Sequence, residues 1–132
     1  MAWTRGATVQ GTYKAAADLS TKQYYFVKFT AADTVNVCTA SDVPCGVLLN
    51  KPDAANKRAS VLHFGIGKVN ADAAIAVGVL IGSSGDGQAD GLTGVGGGDS
   101  SVYIAGQCIE AAATAGDVIT AMINCMSPAR AQ

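Results

Sequence analysis

The residues best equipped for chemistry in this chain are four cysteines and one histidine. Six residues separate Cys38 from Cys45, sixty-two separate Cys45 from Cys108, and sixteen separate Cys108 from Cys125. Zinc sites usually keep two ligands within a Cys-x2–4-Cys unit, and a thiolate nucleophile needs a base within reach. These spacings supply no such ligand pair, and His63 has no paired nucleophile or carboxylate beside it in sequence. Cys38 and Cys45 flank a turn and can approach each other across a hairpin. Cys108 and Cys125 fall at apolar positions of an alternating pattern. The expectation is four reduced thiols acting as small hydrophobes. Catalytic residues, cofactors and metal ligands are all assigned as none.

The acidic residues lead to the same reading. Asp86-Gly87-Gln88-Ala89-Asp90-Gly91 begins like a calcium loop, but the twelfth position from Asp86, where an EF-hand places glutamate, is Gly97. The bland reading is a glycine loop kept soluble by aspartates. Gly96-Gly97-Gly98 lacks the Lys-Ser/Thr and the strand–loop–helix setting of a phosphate cradle, and its neighbours are acidic. Glu110 is the only glutamate. The aspartates sit mostly at turns, where carboxylates cap backbone N–H groups. No pair stands out for acid–base work, so the chain is read as a non-enzyme.

The elements that would position any site read as strands. Residues 24–30 are aromatic and β-branched, Val35 and Val37 share one face against Asn36, and residues 46–50 form a third strand. Residues 58–66 alternate, with Ser60, Leu62, Phe64 and Ile66 on one face and Ala59, Val61, His63 and Gly65 on the other. Gly65 and Gly67 suggest a bulge or bend. Residues 74–81 and 112–119 echo each other: small residues, then Gly78 or Gly116 at positive φ, then a strand. Residues 82–101 hold eight of the sixteen glycines and are expected to be a mobile surface loop or a pair of short hairpins. A strand resumes at Val102 and is expected to run to Ile109. Residues 118–125 fit both a strand and a helical stripe capped by Asp117, and the surrounding β-branched content favours strand. Eight to ten short strands are expected, in one domain over residues 1–132. An extended N-terminal arm covers 1–13 and a tail covers 127–132.

Composition limits the core. Small residues dominate and only 14% of residues are charged, so little apolar area is available and association is expected to add stability. Residues 1–68 carry a net +4 and residues 69–132 a net −5, an asymmetry suited to two faces with different neighbours. The cations are scattered, which argues against nucleic acid as a partner. Residues 73–81, the longest apolar stretch, are about half a membrane span, and no apolar leader region follows Met1. A soluble chain with no membrane partner is expected.

Residues 24–28, the run Gly46-Val47-Leu48-Leu49-Asn50-Lys51-Pro52, the Ala-rich turn before Gly78, and the ending Gly106-Gln107-Cys108-Ile109-Glu110 through Ala115-Gly116-Asp117-Val118-Ile119 resemble the head-decoration (cement) proteins of tailed phages. The resemblance spans residues 11–124; the glycine-rich loop and the four cysteines depart from it. It implies an all-β fold, a small β-barrel or β-sandwich of short antiparallel strands with an extended N-terminal arm. It further implies a structural virion protein made in the host cytoplasm. That protein binds the major capsid protein on the outer capsid surface and bridges capsomers, commonly as a homotrimer, with a dimer as the alternative. Trp3, Thr4, Arg5 and Tyr13 are the candidate capsid or subunit contacts. The competing reading is a small β-barrel that binds or carries a ligand without catalysis.

Overall fold

The computed structural model describes Ala2 and residues 5–92 and 102–130. Within them lie eleven strands. They are β1 Arg5–Ala15, β2 Phe26–Ala31, β3 Thr34–Val37, β4 Gly46–Leu48, β5 Arg58–Asn70, β6 Leu80–Ser83, β7 Ala89–Gly91, β8 Tyr103–Ile104, β9 Gly106–Cys108, β10 Val118–Asn124 and β11 Ala129–Arg130. Nine of them form one mixed sheet in the order β1-β3-β2-β4-β5-β10-β9-β6-β7, and β8 pairs with β11. The fold is all-β. One pairing departs from the antiparallel expectation: β1 and β3 run parallel at Lys14–Thr34 and Ala15–Val35.

That parallel contact closes a ring. β1 pairs with β5 along most of its length and with β3 at its end, so β1, β3, β2, β4 and β5 return on themselves. A second circuit runs β5-β10-β9-β6-β7 and returns to the end of β5 through the Ala71–Ala89 bridge. β5 is common to both. The central strands therefore bury both faces. Val27, Leu48 and Val61 point into one core with Val35 and Ala59, while their neighbours Phe26, Val47 and Leu62 point into the other with Val69, Ile81 and Ile123. Adjacent residues of a strand face opposite sides, so consecutive apolar pairs at 26–27, 47–48 and 61–62 are what a wall between two cores requires.

The alternation read for residues 58–66 breaks inside β5. Val9 and Gln10, adjacent in β1, pair with Phe64 and Leu62, so His63 is one residue too many. A bulge of this kind inverts the faces beyond it. Leu62 is fully buried, whereas Phe64 is 46% exposed. After the bulge the odd positions, Val69 and then Ala71, face the main core. The bend expected at Gly65 lies in the same stretch, with Gly65 at φ 131°.

Other differences are local. β2 begins at Phe26 because Tyr24 adopts φ 69°, with its N–H donating to the Leu48 carbonyl at 2.6 Å. The expected strand from Val102 to Ile109 divides at Ala105 into β8 and β9, which have different partners. The first ten residues of the glycine-rich segment form the β6–β7 hairpin, with Ser83 and Ser84 buried; residues 93–101 lie outside the described set. From Arg5 onward the extended arm is strand β1 of the chain's own sheet. The two echoing segments behave as read: Gly78 and Gly116 have φ of 87° and 89°, and β6 and β10 follow them. They also meet, since Ile75 and Ala112 exchange N–H···O bonds of 3.0 Å in both directions. Residues 118–124 form strand, and Asp117 accepts bonds from the N–H groups of Ala113 and Thr114 rather than capping a helix.

The loop from Cys38 to Cys45 is closed by a carboxylate. Asp42 accepts from Lys28 Nζ at 2.6 Å and from the N–H and hydroxyl of Thr39 at 2.8 Å. The Lys28 bond, reinforced by those from Thr39, holds the Asp42 carboxyl below its ordinary range. A depressed folded value means that the unfolded chain binds protons more readily, so this contribution is present above the ordinary aspartate pKa of about 3.9 and is lost as pH falls through the folded value. Asp42→Asn should therefore cost more near neutrality than in acid. Urea unfolding of both proteins at about pH 7 and about pH 3 checks it; a difference that does not shrink in acid contradicts the assignment.

Candidate functional site

The sequence singled out Trp3, Thr4, Arg5 and Tyr13. Trp3 and Thr4 lie outside the described residues, and Arg5 opens β1 opposite Ile66. Tyr13 packs edge-on against Phe29, ring centroids 5.0 Å apart, and its hydroxyl lies 2.6 Å from His63 Nε2. His63 Nδ1 lies 2.6 Å from the Cys45 carbonyl. A carbonyl only accepts, so Nδ1 carries the proton, and in the neutral ring Nε2 accepts from the tyrosine O–H. The three groups tie β1, β5 and the start of β4 together at the bulge.

This arrangement is poorly suited to nucleophilic catalysis. Both imidazole nitrogens are engaged, and burial pushes the Cys45 thiol up to about 12. Burial likewise raises the Cys38 thiol, and it pushes Cys125 up to about 12. All four cysteines carry free thiols. Tyr13→Phe should cost about 1 kcal/mol, the usual worth of one hydrogen bond. It should also leave His63 as the Nδ1–H tautomer with Nε2 bare. Long-range proton–nitrogen NMR reads the tautomer directly, and an Nε2–H ring in the wild type would reverse the donor assignment.

The calcium-like segment is used for turn-making. Asp86 Oδ1 accepts from the Ser84 hydroxyl at 2.5 Å and from the Gln88 N–H at 3.3 Å, and Gln88 Nε2 donates to Asn70 Oδ1 at 2.6 Å. Gly96, Gly97, Gly98 and Asp99 lie outside the described residues. Among the described residues, no three His, Cys, Asp or Glu side chains gather where they could hold a metal ion.

The feature best suited to recognition is apolar. Register sets Val9, Phe64 and Asn124 in one row across β1, β5 and β10, and Ile66, Met122, Gln107 and Leu80 in the next row across β5, β10, β9 and β6. Directly opposed residues share a face. Phe64, Leu80 and Met122 are each about 45% exposed, and with Ile66 and Ile104 they line a groove of about 530 Å³. No described lining residue is ionisable; Gln107, Asn124 and Ser127 are among its polar groups. Fully burying an exposed apolar side chain of this kind contributes about 1.5–3 kcal/mol, and Phe64, Leu80 and Met122 have a little under half of that still to gain. The sequence carried one hint of this face. Val118, Met122 and Met126 are apolar residues opposite the buried set Ile119, Ala121, Ile123 and Cys125.

No protein-family model matches the chain, and no curated protein matches it in sequence. Its fold is similar to the crystal structure of the head fiber gp8.5 N base in bacteriophage phi29, with a TM-score of 0.68 and 20% sequence identity. The alignment covers 90% of this chain and 96% of that one, so the likeness is of the whole fold.

Proposed function

We propose that this chain is a structural, non-enzymatic component of a phage virion, a compact β base that seats on the capsid. The observation that carries the reading is the fold likeness to the phi29 head fiber base over nearly the whole of both chains. In the finer form of the proposal, the partner is the major capsid protein, the site is the outer capsid surface, and the chain bridges neighbouring capsomers as a homotrimer. Trp3, Thr4, Arg5 and Tyr13 supply capsid or subunit contacts in this form. The mechanism is physical. Apolar seating at several subunits adds area across interfaces that must resist internal pressure, and multivalency raises avidity without one strong site.

The test is co-sedimentation with shells of the major capsid protein encoded in the same genome. Wild type should pellet with shells. Met122→Asp, which places a charge among described lining residues none of which is ionisable, at an exposed position, should remain folded and lose at least about tenfold in affinity. Failure of the wild type to bind sinks the reading. Undiminished binding by Met122→Asp moves the contact off this face. The groove's size, within the roughly 300–1,000 Å³ of small-molecule sites, favours a second reading as a carrier of an apolar ligand. Co-purified small molecules in mass spectrometry, without shell binding, would establish it.

A further inference from the structure

One edge of β1 is paired with β5 at Arg5 and, after a register shift, from Val9 to Lys14, while its pairing with β3 on the other edge is confined to Lys14 and Ala15. The Ala15 N–H donates toward Lys57 at the start of the β5 side, whereas Lys14 and Ala16 donate to Asp33 and Val35 on the β3 side. Alternation then turns the main-chain N–H and C=O of Gln10 and Thr12 outward, beyond the reach of β3. Gln10 and Thr12 are exposed, and among the described residues no strand pairs with that edge between Gly6 and Tyr13.

Sheet edges are ordinarily blunted by charged side chains or proline. Residues 6–13 contain neither, and cationic residues, Arg5 and Lys14, bracket them. Exposed apolar surface lies nearby, in Val9 on the strand and in Phe29 against the Tyr13 ring. An antiparallel second copy centred near Val9–Gln10 would bring each Lys14 to the end of the partner strand that carries Arg5, and like charges brought together are unfavourable. The chemistry that fits is a strand of opposite pattern. We propose that this edge accepts an extended segment of a partner protein, uncharged through its centre and acidic at both ends, as an added strand. The proposal deepens the reading above, on which the segment belongs to the capsid protein.

The test uses the free protein and two synthetic peptides, acetyl-Asp-Thr-Val-Thr-Val-Thr-Val-Thr-Asp-amide and its counterpart with lysine at both ends. Amide exchange by NMR should show Gln10 and Thr12 protected by the acidic-ended peptide, which should bind at least about tenfold more tightly than the lysine-ended one. Arg5→Glu with Lys14→Glu should reverse that preference. Thr12→Pro removes only an outward N–H, as edge positions tolerate, and should lose binding while its circular dichroism is unchanged. Equal binding of both peptides, no protection at Gln10 and Thr12, or an unreversed preference overturns the proposal. Concentration-dependent protection in the free protein, with a dimer by light scattering, also overturns it by assigning the edge to a second copy. No capsid enters this experiment, so its failure leaves the capsid reading standing, and loss of capsid binding leaves this result intact.

Discussion

Phe26→Ala is expected to lower stability by about 3–5 kcal/mol, the usual cost of truncating a buried phenylalanine. Phe26 is fully buried and is the largest side chain so enclosed among the described residues. It enters the main core from β2, directly opposite Val47 of β4, while its own N–H donates to the Gly87 carbonyl and its carbonyl accepts from Cys38. The ring therefore sits where the wall between the cores meets the β6–β7 hairpin. Few residues could fill the void, because the rest of this core is mainly Val, Ala, Ile and Cys held on paired strands. A domain of this size has about 5–15 kcal/mol in total, so the loss is a large fraction. The midpoint of thermal unfolding should fall by roughly 10–20 °C. Val9→Ala, at a position 44% exposed, is the control and should change it little. A Phe26→Ala protein as stable as wild type would mean that the two cores are not arranged as described.

The second large effect is Gly106→Ala. Gly106 lies in β9 opposite Ile123 of β10 and Ile81 of β6. A Cβ built there would strike the Met122 carbonyl oxygen and come within 3.0 Å of its carbon and 3.3 Å of the Ile123 Cα. These are backbone atoms of a paired strand, so they cannot swing aside as a side chain would. β9 must move off β10, with loss of ladder bonds on both sides, and the cost should reach about 3 kcal/mol or more. Gly78→Ala makes the comparison informative. Its Cβ meets nothing within 4 Å, and only the left-handed φ of 87° resists it. That strain is worth about 1 kcal/mol. Denaturant midpoints for the two variants should therefore separate clearly, with Gly106→Ala the lower. Equal midpoints would show that backbone strain, not strand approach, sets glycine use here.

Both expectations concern residues whose burial the local pattern announced only in part. The aromatic and β-branched residues at 24–30 and 35–37 were legible as strands, and 118–125 leaned to strand over a helical stripe, because strand formation depends on side chains next to one another in sequence. Gly78 and Gly116 were legible as positive-φ turns before strands for the same local reason. The turn-making role of aspartates was legible too, and Asp42, Asp86 and Asp117 all accept backbone N–H bonds close by in the chain.

What the tertiary structure decided is which face each strand turns where. The bulge at His63 depends on β1 offering one residue fewer than β5 between Val9 and Gln10, a mismatch between strands some fifty residues apart that no window on β5 contains. It buries Leu62, exposes Phe64 and so opens the apolar groove. The pairing of β1 with β5 likewise decides that Tyr13 meets His63, and the closure at Lys14–Thr34 leaves the stretch of that β1 edge before it without a partner strand among the described residues. Alternation is a property of the backbone and can be read from sequence. Its phase is set by the partner strand, through register and bulges, and this is why the strands were evident in the chain and the apolar groove was not.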